Sequence, residues 1–200
     1  MNPIRAVIHR RAAYAAFALA LSSAVAVQAS SSSALSAVRI DNFGKVNENY
    51  YRGAQPLTDD IHDLATLGIK TVIDLTSDDG AADEKSLVEQ AGMHFVKIAM
   101  TTRTEPTTDE LAAFLKVVND PEAQPVYVHC VGGKHRTGVM TAIYRMTSEG
   151  WTGARAFEEM KQYKFGADFL HPEFKKFVLG YKTPSGAPAA VAAATVAAIQ

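Results

Sequence analysis

Val126-Tyr127-Val128-His129-Cys130-Val131-Gly132-Gly133-Lys134-His135-Arg136-Thr137-Gly138 decides how this chain is read. Val126–His129 has the apolar composition of a buried strand and runs directly into Cys130. The chain then turns through Val131-Gly132-Gly133-Lys134-His135 and enters a helix near Arg136. Two successive glycines let the backbone adopt strained angles and approach a ligand closely. The amides of such a turn converge on one point, and the helix that follows adds its positive end there. Arg136 stands six positions after Cys130, so its guanidinium can fold back and grip two oxygens of an oxyanion. A cysteine among such amides, beside an arginine and a helix start, is expected to react as the thiolate.

The remaining residues of the loop take their roles from this geometry. Val131, Gly132, Gly133, Lys134, His135 and Arg136 form the expected phosphate cradle. Thr137 can turn its hydroxyl toward the sulfur and stabilise the thiolate, or be an ordinary threonine of a first helical turn. Lys134 and His135 add donors or charge at the mouth, or are solvated surface groups. The chain has no GxxxxGK[ST] segment, so a nucleotide P-loop is excluded. One cysteine and scattered histidines do not make a zinc site, and neither a metal nor another cofactor is expected.

Outward from the loop, strands alternate with helices. Tyr50-Tyr51-Arg52 reads as a short strand. Apolar Leu57, Ile61, Leu64 and Leu67 lie on one helical face closed by Gly68. Ile69–Leu75 is a buried strand, Asp83–Ala91 a helix closed by Gly92, and Met93–Ile98 a further strand. Thr107–Val118 is a helix with Asp109 and Glu110 in its first turn; Pro121 and Pro125 break the chain after it. Helices are expected at about Val139–Glu149, Gly153–Lys161 and Pro172–Tyr181. This pattern predicts an α/β domain: a small central parallel or mixed sheet flanked by helices on both faces. In such sheets ligands bind beyond the carboxyl ends of strands, which is where Cys130 falls.

The 200 residues are 48% hydrophobic and 20% charged, enough for one core and one domain. Met1–Arg11 carries three arginines and no acid, Ala12–Val27 is apolar, and Val27-Gln28-Ala29 offers a small-residue cleavage site. Residues 1–29 therefore read as a secretory signal peptide, and the protein is expected in the periplasm or outside the cell. The apolar run is short for a membrane span, so no membrane association is expected after cleavage. Removing this segment leaves 17 basic against 21 acidic residues, a net charge of −4. That balance excludes a general nucleic-acid or membrane-surface binder and leaves phosphate attraction to the loop itself. Residues 30–37 read as a flexible linker, 38–182 as the catalytic domain, and the Ala-rich 183–200 as a disordered tail or a short helix. A free thiol in an oxidising compartment calls for a reason, and catalysis supplies one.

His129–Gly138 fits the signature HCxxGxxRTG, and the sequence resembles the cysteine-dependent protein tyrosine/dual-specificity phosphatase superfamily. Gly133–Gly138 (GKHRTG) is similar to the atypical dual-specificity group of plants and fungi, some of whose members act on inositol pyrophosphates. Tyr51–Pro56 and Gly68–Leu75 resemble the N-terminal part of those domains, and the resemblance spans Asn42 to Tyr181. It implies a phosphocysteine intermediate on Cys130, phosphate held by the loop amides and Arg136, and no metal. Such enzymes present an aspartate as general acid from a mobile loop, and the corresponding stretch here is Ala99–Asp109. Glu105 is the first choice, and Asp109, which also suits a first helical turn, the second. Asp74 and Ser77-Asp78-Asp79 read as strand-end and turn residues. The expected substrate is a phosphorylated protein or small phosphorylated molecule, handled by a monomer. An inositol polyphosphate or pyrophosphate phosphatase and a non-catalytic phosphate-binding module are the alternatives.

Overall fold

The computed structural model describes residues 35, 37–77, 79–167 and 169–183. The expected signal peptide, most of the linker and nearly all of the tail lie outside them. Leu35, Ala37 and Val38 belong to a separate N-terminal unit, and every element below belongs to the unit from Arg39 onward. Its strands are β1 (Gly44–Asn47), β2 (Tyr50–Ala54), β3 (Thr71–Asp74), β4 (His94–Lys97) and β5 (Val126–Cys130). The helices are α1 (Thr58–Thr66), α2 (Glu84–Gln90), α3 (Thr108–Val118), α4 (His135–Ser148), α5 (Gly153–Gln162) and α6 (Pro172–Gly180). No helix among the described residues is long and apolar enough to cross a membrane.

The strands form one mixed sheet in the order β1-β2-β5-β3-β4, antiparallel only between β1 and β2. β5 lies at the centre because each of its residues is apolar or has a buried partner, and all five are buried. Its two-residue period divides the molecule. Val126, Val128 and Cys130 face a core that includes Phe114 and Val118 of α3 and Met140 and Tyr144 of α4. Tyr127 and His129 face the opposite side, where Tyr127 stacks on Phe43 and His129 meets Glu84 of α2. A second cluster joins α4 to α5 and α6 through Val139, Ile143, Phe157, Met160, Phe165 and Phe174.

Two features add to what the sequence indicated. β1 is an edge strand whose residues are all half-buried, and Gly-Lys-Val-Asn carries no alternation to mark it. α4 begins at His135, four residues before Val139, and Gly138 lies inside the helix. A Cβ at Gly138 would stand 3.4 Å from Met160 of α5, so this glycine serves a close helix crossing. Residues 136–146 are buried on every side of α4, which is the mark of a central helix.

Candidate active site

β5 pairs with β2 and β3 on either side, with Cys130 opposite Ala54 and His129 opposite Asp74. The loop after Cys130 is thus fixed by two parallel neighbours that end level with it. Gln55 N–H donates to the Val131 carbonyl at 3.2 Å, Gly133 N–H to the Cys130 carbonyl at 3.4 Å, and Gly138 N–H to the Lys134 carbonyl at 3.1 Å. Gly133 carries the left-handed turn, with φ +62°, and a Cβ there would collide with the backbone of Gly53 and Ala54. Gly132 needs neither privilege: its φ is not positive and its nearest neighbour is the Lys134 side chain at 3.6 Å. Of the two glycines read together in the sequence, only Gly133 is required by the turn.

The Gly133 carbonyl is held from outside the loop. It accepts from Arg52 Nη2 at 2.6 Å and from Asn42 Nδ2 at 2.7 Å. In a trans peptide the C=O and the following N–H point in opposite directions. Pulling this oxygen outward therefore aims the Lys134 amide toward the loop's centre, where an oxyanion would be cradled.

Cys130 is buried, as is Arg136. The Arg136 Nη1 donates to the Met100 carbonyl at 3.2 Å and to Asp79 Oδ1 at 2.9 Å, and Nη2 donates to Asp79 Oδ2 at 2.6 Å. Burial acts to lower the Arg136 pKa, but the Asp79 hydrogen bonds and the Cys130 and Asp79 charges outweigh it and hold it above its ordinary value. The same hydrogen bonds pull Asp79 down to about 2. Asp79 sits in the turn read from sequence, where Ser77 N–H donates to it, yet its carboxylate also fills the two-pronged grip of Arg136.

The other expected residues are placed as follows. Thr137 is fully buried, and its hydroxyl has no hydrogen-bond partner. The His135 imidazole turns away from the mouth, with Nε2 2.9 Å from the Phe165 carbonyl and the ring 3.8 Å from that of His171. Burial and the His171 charge lower its pKa. Lys134 is half-buried at the start of α4. Glu105 is exposed, five residues beyond the Met100 carbonyl that touches Arg136. Asp109 is exposed in the first turn of α3, whose capping box is made by Thr107 and Glu110. The structure gives neither carboxylate a hydrogen bond to the loop.

Behind the loop, Glu84 Oε1 lies 2.7 Å from His129 Nε2, off the hydrogen-bond direction, and both groups are buried. Gln55 donates to the other Glu84 oxygen and accepts from Ala81 N–H. Asp74, Glu84 and His129 bring potential ligand atoms within 4.8 Å of one another. A cation already serves Asp74, since Lys97 Nζ donates to it at 2.6 Å and Thr76 Oγ1 at 2.9 Å. Asp79, Arg52, Asn42, Gln55 and Glu84 were not recognised from the sequence, because each reaches the loop from a distant part of the chain.

Residues 25–174 match the model of a family described as DSP-PTPase phosphatase fused to NAD+ kinase. The chain is 28% identical over 126 residues to a probable tyrosine-protein phosphatase of Dictyostelium discoideum, covering 61% of this chain and 75% of the relative. It is 31% identical over 127 residues to the dual specificity protein phosphatase TpbA of Pseudomonas aeruginosa, covering 62% of this chain and 56% of TpbA. An inositol diphosphatase of Arabidopsis thaliana is 26% identical over 125 residues, covering 60% of this chain and 61% of that protein. The chain thus spans little more than half of two of these relatives. Among solved structures, TpbA with bound phosphotyrosine superposes with a TM-score of 0.61 at 26% identity, over 70% of this chain and 85% of the other. The catalytic core of the PP-IP phosphatase of Saccharomyces cerevisiae shares the fold, with a TM-score of 0.63 at 23% identity over 72% of this chain and 86% of the other.

Proposed function

The chain belongs to the DSP-PTPase phosphatase family, and from that premise we propose that it hydrolyses phosphate monoesters through a phosphocysteine on Cys130. The observation that carries this reading is one loop that holds a buried Cys130 and a buried Arg136 around the outward-held Gly133 carbonyl. The Cys130 thiolate attacks phosphorus, the bond to the ester oxygen breaks, and that oxygen takes a proton from Glu105, with Asp109 as second choice. Water then attacks the phosphocysteine, releasing phosphate and the thiolate. The amides of Val131–Arg136 and the Arg136 fork bind the non-bridging oxygens, for which Asp79 must cede its place. Thr137 offers its unpaired hydroxyl to the thiolate.

The substrate of this reading is a phosphotyrosine-type protein or a small phosphorylated molecule. An inositol polyphosphate or pyrophosphate is the second reading, favoured by Lys134 beside the cradle and by the inositol diphosphatases among the relatives. The protein of residues 38–182 is assayed on a phosphotyrosine peptide and an inositol diphosphate beside Cys130→Ser. Release of phosphate by the wild type and none by the variant is expected. Turnover by Cys130→Ser would end the covalent mechanism, and binding without turnover by the wild type would leave a phosphate-binding module. The basic start, apolar run and cleavage site of residues 1–29 support export to the periplasm or beyond, and the domain is proposed to act as a monomer.

A further inference from the structure

Arg52 is fully buried on β2, opposite Val128 of β5. Its Nη2 donates to the Gly133 carbonyl, its guanidinium carbon lies 3.9 Å from the centre of the Tyr163 ring, and its Nε and Nη1 have no hydrogen-bond partner. No ion pair among the described residues includes it. Burial lowers its pKa, but a guanidinium stays protonated. The protein therefore keeps a cation in its interior whose direct contacts are one carbonyl and one aromatic face, with the Glu159 charge acting on it from beyond them, a costly arrangement for structure alone. Asn42 shows that the carbonyl could be pinned without a charge, since its neutral amide grips the same oxygen at 2.7 Å. What Asn42 cannot supply is positive potential beneath the loop. After Tyr50, Tyr163 and Glu159, Cys130 is among the groups whose charge acts on the Arg52 guanidinium.

We propose that Arg52 is a second, buried cation of the phosphate site, a positioning residue that pins Gly133 and lends its charge to the anions formed at the loop. Those anions are the Cys130 thiolate and the bound phosphoryl group, so the inference rests on the phosphatase reading. Arg52 itself is fully buried, so its charge acts strongly on its neighbours. Arg52 thus adds to the loop's field without touching the substrate, while Arg136 grips it directly.

The test compares Arg52→Gln, which removes the charge, with Arg52→Lys at mildly acidic pH, which favours the protonated form of a buried amine, and with Asn42→Gly. The glycine tolerates the φ of +56° at position 42 while removing the neutral pin. Cys130 is the one cysteine of the chain, so iodoacetamide reads it alone, and tungstate binding by calorimetry reads the cradle. Neither readout needs turnover, so an inactive wild type would count against the phosphatase reading and not against this one. Arg52→Gln is expected to weaken tungstate binding and slow alkylation at mildly acidic pH, each by about tenfold. At that pH Arg52→Lys is expected to stay within about threefold of wild type in both, even where its melting temperature falls, and to approach Arg52→Gln as rising pH strips the buried amine of its proton. Equal losses in Asn42→Gly and Arg52→Gln would overturn the proposal, because the carbonyl pin would then explain everything. If Arg52→Gln does not fold, Arg52→Lys decides: a tungstate affinity that is independent of pH overturns the proposal, and retention within about threefold at mildly acidic pH with loss as pH rises, relative to wild type, supports it.

Discussion

Both carboxylate oxygens of Asp79 rest on the two terminal nitrogens of Arg136, at 2.9 and 2.6 Å. The planar fork that suits an oxyanion is thereby matched, atom for atom, by a side chain of the same molecule. Asp79 is held down to about 2 by this contact, so it stays ionised through the working range of the protein.

Asp79 and phosphate compete for one guanidinium. Asp79→Asn removes the competing charge, and inorganic phosphate or vanadate is expected to bind about three- to tenfold more tightly. Inhibition constants for the two proteins check this; weaker binding by the variant would mean that the carboxylate assists the ligand. The pair also links stability to pH. A carboxylate lowered in the folded state stabilises the fold above its unfolded value, about 3.9, and loses that contribution as pH falls through about 2. Denaturant midpoints of wild type and Asp79→Asn should therefore differ above that window and converge below it. Asp79 is 42% exposed, so the difference will be small.

Gly133 and its neighbour make a matched comparison. Gly133→Ala places a Cβ against the Gly53 backbone at a positive φ and is expected to destabilise the fold by about 1–3 kcal/mol and abolish phosphate binding. Gly132→Ala meets only a flexible lysine and should cost less than about 1 kcal/mol. Thermal unfolding with a phosphate titration separates the two.

His135 should behave as a structural residue with a pH signature. Its pKa is lowered by burial and by His171, so its contribution to stability is present above the unfolded value of about 6.5 and is lost as pH falls below it. His135→Gln cannot be protonated, and its stability should decline less between neutral and mildly acidic pH. Unfolding curves across that range check the slope; a change confined to KM would instead place the ring in the substrate's path.

The proton donor divides by leaving group. Glu105→Gln is expected to lower kcat by about 10²-fold on an alkyl phosphate, whose leaving oxygen needs a proton, and by much less on an activated aryl ester. Asp109→Asn should match wild type on both substrates if Asp109 serves only the first turn of α3. The reverse pattern would exchange the two roles.

What was legible in the sequence is what is local along the chain. Strand, cysteine, glycine turn and helix are contiguous, so Val126–Gly138 predicted its own geometry, and alternation predicted the layers on either side. The packing role of Gly138 was not legible, because the partner it lies against, Met160, is remote in the chain. Asp79, Arg52 and Asn42 were hidden for a similar reason. They stand 57, 81 and 91 positions from the loop residues they bind, and only the sheet order brings them there.

The central place of β5 has a consequence for endurance. Edge strands can peel away while a domain remains folded, but β5 is bonded along both sides, to β2 and to β3. Its amides can meet solvent only when the sheet itself comes apart, which makes Val126–Cys130 one of the last segments to exchange hydrogen for deuterium. The nucleophile is thus anchored in the most firmly bonded strand of the sheet, while Glu105, its proposed proton donor, stands exposed on a segment outside it.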